Sequence, residues 1–136
     1  MSDKKGRVTG LGGVFFKTAD KDETLAWYRD KLAMDTTDFG AVFQWREPSD
    51  TDEVGYTVWS PFAKDTEYFA PSEARFMVNF RVENLDALLT SLREAGVTIV
   101  GGPDDEPNGR FAWILDPEGR KLELWEPIAS KDDPYL

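Results

Sequence analysis

The chain has 136 residues, of which 40% are hydrophobic and 31% charged, a balance typical of one compact globular domain. Its net charge of −10 argues against nucleic acid as a partner, because phosphate binding depends on clustered Lys and Arg. It contains neither Cys nor His, which excludes disulfides, thiolate nucleophiles and the imidazole that most transition-metal sites use.

No apolar run approaches the roughly 20 residues of a membrane span, and the N-terminus lacks the apolar stretch of a signal peptide. We therefore expect a cytoplasmic protein with no membrane partner. We expect residues 1–7 to be a disordered tail and residues 8–129 to be a single domain, with units at 8–70 and 74–129. Residues 130–136 are then a C-terminal tail.

In the first half, an apolar strand over residues 13–17 precedes a helix that Asp20 caps, with Glu23 completing a capping box. Strands over residues 41–45 and 55–59 follow the helix. No strand pattern is evident between Met34 and Gly40, where we assume a short strand.

The second half begins with a strand over residues 77–82 and a helix that starts at Asn84 and ends before Gly96. Four leucines lie at the spacing of a buried helical stripe, namely Leu85, Leu88, Leu89 and Leu92. The sequence then predicts a tight turn over residues 116–119 and three strands, at residues 97–100, 110–114 and 121–125.

The two halves align with each other. Val14 and Phe16 correspond to Val78 and Phe80, 64 residues further along the chain. The segment Thr57-Val58-Trp59-Ser60-Pro61 corresponds to Glu123-Leu124-Trp125-Glu126-Pro127, 66 residues further along. This similarity, which spans helices and strands, predicts a duplicated β-α-β-β-β unit.

Three stretches carry a resemblance to a known family: Gly12 to Phe16, Leu25 to Leu32, and Phe111 to Trp125 with its Asp-Pro-x-Gly turn. They resemble the vicinal oxygen chelate superfamily, which includes glyoxalase I, extradiol dioxygenases, methylmalonyl-CoA epimerase and bleomycin-resistance proteins. The resemblance implies an α+β fold with two tandem modules forming a curled, mixed, eight-stranded sheet. Helices then cover the convex face, the concave face holds a ligand cleft, and the protein is a homodimer.

In metal-dependent members, as the resemblance implies, each module offers one ligand in its first strand and one in its last strand. On this sequence those positions are Gly13, Thr57, Met77 and Glu123. Glycine offers no side-chain donor, a threonine hydroxyl is a poor ligand, and a thioether suits Cu(I) rather than zinc, nickel, iron or manganese. We therefore predict no metal site and no cofactor, although an all-oxygen site for Mg²⁺ or Ca²⁺ remains an alternative.

Because side chains alternate along a strand, the residues that face the cleft follow from the inward position of Glu123. The sequence leaves open whether Phe43, Trp45, Phe111 and Trp113 of the central strands share this orientation. If they do, seven aromatic residues line the cleft, which is typical of a pocket for flat, ring-containing molecules. The predicted ligand-binding residues are Phe15, Lys17, Phe43, Trp45, Thr57, Trp59, Met77, Asn79, Arg81, Phe111, Trp113, Glu123 and Trp125.

The leading hypothesis is a glyoxalase/bleomycin-resistance-like protein that binds a small, partly aromatic molecule in a metal-free cleft. An alternative is a lyase, isomerase or dioxygenase-type enzyme, with Glu123 as the catalytic acid or base or with an oxygen-ligated metal. A third is a dimeric interaction protein with a vestigial cleft. The aromatic residues then form core or interface, and Glu123 pairs with Lys121, Lys17 or Arg81.

Overall fold

The computed structural model describes residues 5–136 and has an α+β architecture, with two helices and a mixed sheet. The helices are α1 (Lys21–Leu32) and α2 (Leu85–Glu94). The strands are β1 (Arg7–Thr18), β2 (Ala41–Glu47), β3 (Asp50–Ala63), β4 (Phe76–Glu83), β5 (Ile99–Glu106), β6 (Gly109–Leu115) and β7 (Lys121–Pro127).

The strands form one sheet in the order β2-β3-β1-β4-β7-β6-β5. The pairs β1–β3 and β4–β7 are parallel, and the other four pairs are antiparallel. The antiparallel pair β1–β4 joins the two halves at the centre of the sheet, with Val14 opposite Val78. Helix α1 packs on β3, and α2 packs on β7.

Both helices begin where the sequence predicts. The Asp20 side chain accepts a hydrogen bond from the backbone N–H of Glu23 at 3.0 Å, and the Asn84 side chain accepts one from that of Ala87 at 3.4 Å. These bonds satisfy N–H groups that have no partner within the helix. The chain reverses after α2 at Gly96, whose φ of 80° suits a residue without a Cβ.

The described residues form seven strands, not the eight that we predicted. The difference lies in residues 33–40, where the assumed short strand is absent. Ala33 closes α1 in the left-handed conformation, and Thr37 and Gly40 bond to each other across a turn. The segment Asp35-Thr36-Thr37-Asp38 has no apolar residue to alternate with its polar ones, so it lacks the pattern of a half-buried strand.

The main core lies between α2 and the sheet. Leu85 and Leu89 of the helix pack on a set of sheet residues that lie on alternate positions of their strands: Val82, Ala112, Ile114 and Leu124. The intervening residues therefore point to the other side. We call that side, which carries Phe15, Met77, Asn79, Arg81, Glu123 and Trp125, the helix-free face.

Both ends of the described range, residues 5–136, are connected to the domain. Of the predicted N-terminal tail, residues 1–4 lie outside the described residues, and Arg7 is the first residue of β1. At the other end, a short 3-10 turn (Ser130–Asp132) brings the buried carboxylate of Asp133 to the hydroxyl of Tyr56 in β3. Neither helix within residues 5–136 is long and apolar enough to cross a membrane.

Candidate ligand-binding site

Glu123, in the middle of β7, is the buried carboxylate at the centre of the helix-free face and is 3% exposed. Its Oε1 accepts a hydrogen bond from Asn79 Nδ2 at 2.5 Å. Its Oε2 accepts one from Trp113 Nε1 at 2.8 Å and another from the Tyr68 hydroxyl. Asn79 and Trp113 lie directly opposite Glu123 in the neighbouring strands, so the sheet register itself creates this arrangement.

The donors to Glu123 are neutral, whereas we had considered an ion pair with a nearby cation. Lys121 instead donates to the backbone carbonyl of Tyr68 at 2.7 Å, and Lys17 lies over the ring of Phe69 at 5.7 Å. Burial lowers the pKa of Lys121, and the charge of Glu123 partly opposes that effect. Among the described residues, no cation comes within ion-pair distance of Glu123.

Arg81 has its own setting on the same face. Its guanidinium lies between the rings of Trp45 and Trp125, 4.9 Å and 4.8 Å from their centroids, a geometry in which cation and ring attract. Its Nη1 donates to the backbone carbonyl of Tyr56 at 3.5 Å. Burial lowers the pKa of the guanidinium. Through these contacts Arg81 packs β4 against residues of β2, β3 and β7.

Asn79 contributes an unusual feature beside Glu123. It is 2% exposed, and its Oδ1 accepts no hydrogen bond among the residues that the structure describes. That oxygen lies against Gly12, where a Cβ would come within 2.1 Å of it. The close approach of β1 to β4 therefore depends on the absence of a side chain at Gly12.

A segment that the sequence analysis overlooked covers this face. Residues 64–75, which we call the linker, connect β3 to β4 and place Tyr68 and Phe69 on the sheet. Phe69 is fully buried with Phe15 and Met77, and Tyr68 reaches Glu123. Burial and the negative charge of Glu123 both raise the pKa of the Tyr68 phenol. Two adjacent aromatic residues in a polar, turn-rich segment were the available signal for these contacts.

The orientation that we predicted for β3 was wrong by one residue. Trp59 packs on Phe16 and on Tyr28 of α1, so it lies on the helix-covered face. Tyr56 packs on Trp125, and Val58 packs against the Phe15, Phe69 and Met77 cluster. Tyr56 and Val58, rather than Thr57 and Trp59, therefore face the predicted cleft.

The aromatic residues of β2 also differ from the predicted cleft lining. Phe43 is 49% exposed. It follows Val42, which pairs with Val58 on the helix-free face, so the Phe43 side chain points to the other side of the sheet. Trp45 lies beside the cleft residues through its contact with Arg81, and its Nε1 donates to Thr57 Oγ1 at 3.0 Å. The Thr57 hydroxyl donates in turn to the Leu11 carbonyl at 2.8 Å, so it has a structural partner.

The register explains the error in β3. Phe15 pairs with Ser60 in the first half, and its counterpart Asn79 pairs with Glu123 in the second. Ser60, and not Thr57, is thus the positional equivalent of Glu123. The shared Trp-x-Pro motif gave an offset that is three residues too large, and an odd shift exchanges the two faces of a strand.

These positions do not fit the metal that the family resemblance implies. Gly13 has no side chain, the Ser60 hydroxyl donates to the Phe39 carbonyl at 2.5 Å, and Met77 is buried in an apolar cluster. Glu123 is the one carboxylate of the set, it already accepts three hydrogen bonds, and it cannot by itself supply the three or four protein ligands of a typical zinc site. Within residues 5–136, no group of three or more Asp or Glu residues is arranged to hold a metal ion.

Next to the covered centre, the helix-free face has an open pocket of about 490 Å³. Its lining is mostly apolar and consists of Thr37, Phe39, Val42, Tyr56, Val58, Asn108 and Tyr135. The Tyr56 hydroxyl donates to Asp133 Oδ2 at 2.8 Å and accepts from Asn108 Nδ2 at 3.4 Å, which fixes this ring in the wall. Burial raises the pKa of Tyr56, so its phenol is neutral at physiological pH.

Of the other predicted site residues, Phe111 and Trp113 lie on the helix-free face. Phe111 stacks on Trp125 with ring centroids 5.8 Å apart, and Trp113 contacts both Tyr68 and Glu123. The structure therefore places the predicted residues of β1, β4, β6 and β7 on the helix-free face, with Trp45 of β2 beside them. Thr57, Trp59 and Phe43 are the exceptions.

Comparison with known proteins agrees with this architecture. The family model described as the Glyoxalase/Bleomycin resistance protein/Dioxygenase superfamily matches residues 10–124. No curated protein matches the sequence significantly.

Several solved structures share the fold. Methylmalonyl-CoA epimerase from Mycobacterium tuberculosis has a TM-score of 0.60 and 24% identity, with 91% of each chain covered. A variant of the Streptomyces coelicolor methylmalonyl-CoA epimerase, in complex with 2-nitronate-propionyl-CoA, has a TM-score of 0.66 and 17% identity, covering 90% of this chain and 100% of that one. An Mn(II)-bound glyoxalase from Novosphingobium aromaticivorans has a TM-score of 0.57 and 18% identity, covering 91% of this chain and 40% of that one.

Proposed function

The chain belongs to the Glyoxalase/Bleomycin resistance protein/Dioxygenase superfamily, and from this premise we propose that it binds a small, ring-containing molecule on the helix-free face without a metal ion. The observation that carries the proposal is the open, mostly apolar pocket of about 490 Å³ beside Tyr56. Ligand pockets in proteins are typically concave, apolar and of about 300–1,000 Å³, with a few placed polar groups.

The pocket walls suit a flat ligand. Phe39, Tyr56 and Tyr135 offer ring faces, and Val42 and Val58 form an apolar floor on two paired strands. Asn108 and Thr37 supply the polar groups that would orient a ligand. Because Tyr56 is held by Asp133 and Asn108, little side-chain entropy remains to be lost at that wall on binding.

Metal-independent binding is supported by the side chains at the family's ligand positions. Each either lacks a donor atom or already has another partner in the fold. Recognition in this proposal therefore relies on ring contacts and hydrogen bonds. It requires no acid or base.

The enzymatic alternative receives less support from the geometry. A general base needs a free lone pair that points at the proton it removes. Glu123 is 3% exposed, and three donors, including the Tyr68 hydroxyl, occupy most of its acceptor positions. The epimerase and glyoxalase structures are at most 24% identical to this chain and bear on its fold alone.

We also infer that the halves derive from one duplicated β-α-β-β-β unit, although the first half has one strand fewer. The parallel pairs β1–β3 and β4–β7 support this, because each joins the first and last strands of its half.

A thermal-shift screen with small aromatic and heterocyclic compounds tests the binding proposal. A ligand at about 100 times its dissociation constant stabilises the fold by roughly 2.7 kcal/mol, which is a shift of several degrees in a domain of this size. Compounds that raise the melting temperature are then titrated while the intrinsic Trp fluorescence is followed.

Two substitutions on adjacent positions of β2 locate the binding. Val42→Trp fills the pocket, whereas the matched control Phe43→Trp adds the same ring on the opposite side of the strand. We expect ligands of the wild-type protein to bind the Phe43→Trp variant equally and to lose affinity for the Val42→Trp variant. A broad panel that shifts neither melting temperature nor fluorescence would contradict the proposal.

A further inference from the structure

We propose that the phenol of Tyr68 occupies a ligand subsite at Glu123, and that the ligand class of this subsite is a neutral phenol that displaces the Tyr68 side chain. The inference deepens the proposed function and rests on it, since both require a ring-containing ligand on the helix-free face. It adds a location and a chemical group that the open pocket does not specify.

The surroundings of the Tyr68 ring are those of a bound aromatic ligand. The ring stacks on Phe62, with centroids 5.6 Å apart and planes inclined by 14°. Its edge meets Trp113, with centroids 6.4 Å apart and planes at 84°. At the end of this aromatic slot, the hydroxyl donates to Glu123 Oε2.

Two charged groups define the chemistry that the slot accepts. When ionised, Glu123 accepts hydrogen bonds but cannot donate one, so the occupant must present a donor. A negatively charged phenolate would be repelled. Lys121 Nζ lies 5.2 Å from the Tyr68 centroid and 5.7 Å from that of Trp113. A cation above the ring favours an electron-rich ring, and a hydroxyl substituent makes a benzene ring more electron-rich. A neutral phenol meets both requirements.

Tyr68 can leave without unfolding the linker. The residue is 39% exposed, whereas the adjacent Phe69 is fully buried against Phe15 and Met77. Phe69 therefore anchors the linker while the neighbouring side chain changes rotamer. The lost donor to Glu123 is then replaced by the hydroxyl of the ligand.

The subsite and the open pocket are adjacent. Val58 lines the pocket and also packs against the cluster that contains Phe69, next to Tyr68 in the chain. A phenolic ligand at Glu123 can thus extend its other substituents toward Tyr56.

The affinity for p-cresol, which has the ring and hydroxyl of a tyrosine side chain, is measured to test the inference. We expect the Tyr68→Ala variant to bind p-cresol at least about tenfold more tightly than the wild-type protein, because a hydrogen bond to a charged acceptor no longer has to be displaced. Toluene, which lacks the hydroxyl, should gain much less. Equal p-cresol affinities for variant and wild type, or an equal gain for toluene, would overturn the inference.

The Tyr68→Phe variant keeps the ring and its packing, so it decides the question if Tyr68→Ala does not fold. We expect tighter p-cresol binding than in the wild type here too, since the displaced ring has no hydroxyl; unchanged binding would count against the subsite.

The Val42→Trp variant separates this test from that of the pocket. Panel ligands that are lost in Val42→Trp but bind equally to wild type and Tyr68→Ala would leave the pocket standing and overturn the Tyr68 subsite. Two results together would support the subsite and contradict the pocket: Tyr68→Ala binds p-cresol more tightly than the wild type, and no panel ligand loses affinity in Val42→Trp.

Discussion

At the scale of single residues, Gly12 shows how closely β1 and β4 approach. A Cβ at this position would lie 2.1 Å from Asn79 Oδ1, which belongs to the side chain that also bonds Glu123. Gly10, two residues earlier on the same strand, has no heavy atom within 4 Å of the equivalent point. The two glycines therefore form a matched pair for testing the packing of the site.

We expect Gly12→Ala to lower the free energy of unfolding by about 1–3 kcal/mol, because Asn79 must shift and disturb its bond to Glu123. Gly10→Ala should change it by no more than about 0.5 kcal/mol. Urea denaturation followed by Trp fluorescence measures both. Equal midpoints for the two variants would show that Asn79 is not held as described.

Two tyrosines whose hydroxyls donate to buried carboxylates, Tyr56 to Asp133 and Tyr68 to Glu123, make stability depend on alkaline pH. Burial raises the pKa of both Tyr56 and Tyr68 above the value near 10 of an exposed phenol. Both phenols are neutral in the folded and unfolded chain below about pH 10, so their full contribution is present there. Above that pH the unfolded chain loses protons that the folded chain retains, and the free energy of unfolding must fall.

We expect the Tyr56→Phe, Tyr68→Phe double variant to lose less stability than the wild type as the pH rises from about 10 to about 12. The lowered pKa of Lys121 acts in the opposite direction in the same range, because the folded chain sheds that proton first. Denaturation curves at several pH values, with the single variants as controls, give the comparison. If the free energy of unfolding of the double variant fell with pH as steeply as that of the wild type, folding would not raise the pKa of either phenol.

At the scale of elements, the linker over residues 64–75 matters most, because it turns an open cleft into a covered one. Its anchor is Phe69, which is fully buried, whereas Phe76 at the start of β4 is 45% exposed. We expect Phe69→Ala to cost about 3–5 kcal/mol and the matched Phe76→Ala less than about 1 kcal/mol. Chemical denaturation of the two variants checks this. Similar losses would show that the linker does not depend on its buried ring.

The elements also show what the sequence could predict. Helix starts were correct because Asp20 and Asn84 act on N–H groups only three residues away. The faces of β4 and β7 were correct because Val78, Phe80 and Val82 alternate with polar residues in β4, and Leu122 and Leu124 do so in β7. Local patterns were sufficient for both. Strand β6 has only apolar residues at positions 111–115, so its sequence left the orientation open.

The rest of the site depended on contacts that local patterns do not encode. Tyr68 meets Glu123 across 55 residues of chain, and nothing near either residue specifies the other. The prediction for β3 failed for a different reason. The two halves were aligned on a shared Trp and Pro, whereas the orientation is set by the packing of Tyr56 and Val58 against residues of the second half.

At the scale of the whole molecule, the proposal predicts a protein that is indifferent to metal. Protein purified without chelator should contain less than stoichiometric zinc, nickel, iron or manganese, and EDTA should leave its melting temperature unchanged. The physical reason is the donor set, because Glu123 is the only carboxylate among the family's ligand positions and already accepts three hydrogen bonds. One equivalent of tightly bound metal by elemental analysis would contradict the proposal.

The homodimer implied by the family resemblance stays a prediction. Light scattering coupled to size-exclusion chromatography should give twice the mass of 15.4 kDa. A mass of one chain at micromolar concentration would show that the domain is monomeric.

The three-residue difference between the halves has a practical consequence for anyone who symmetrises this protein by design. Grafting Lys121–Pro127 onto the first half by matching Trp59 to Trp125 would install the carboxylate at position 57 and turn it toward the side occupied by α1. Aligning by strand pairing instead installs it at position 60, opposite Phe15 and facing the cleft. Visible similarity between repeats is thus an unsafe template for engineering, and backbone pairing is the safer one.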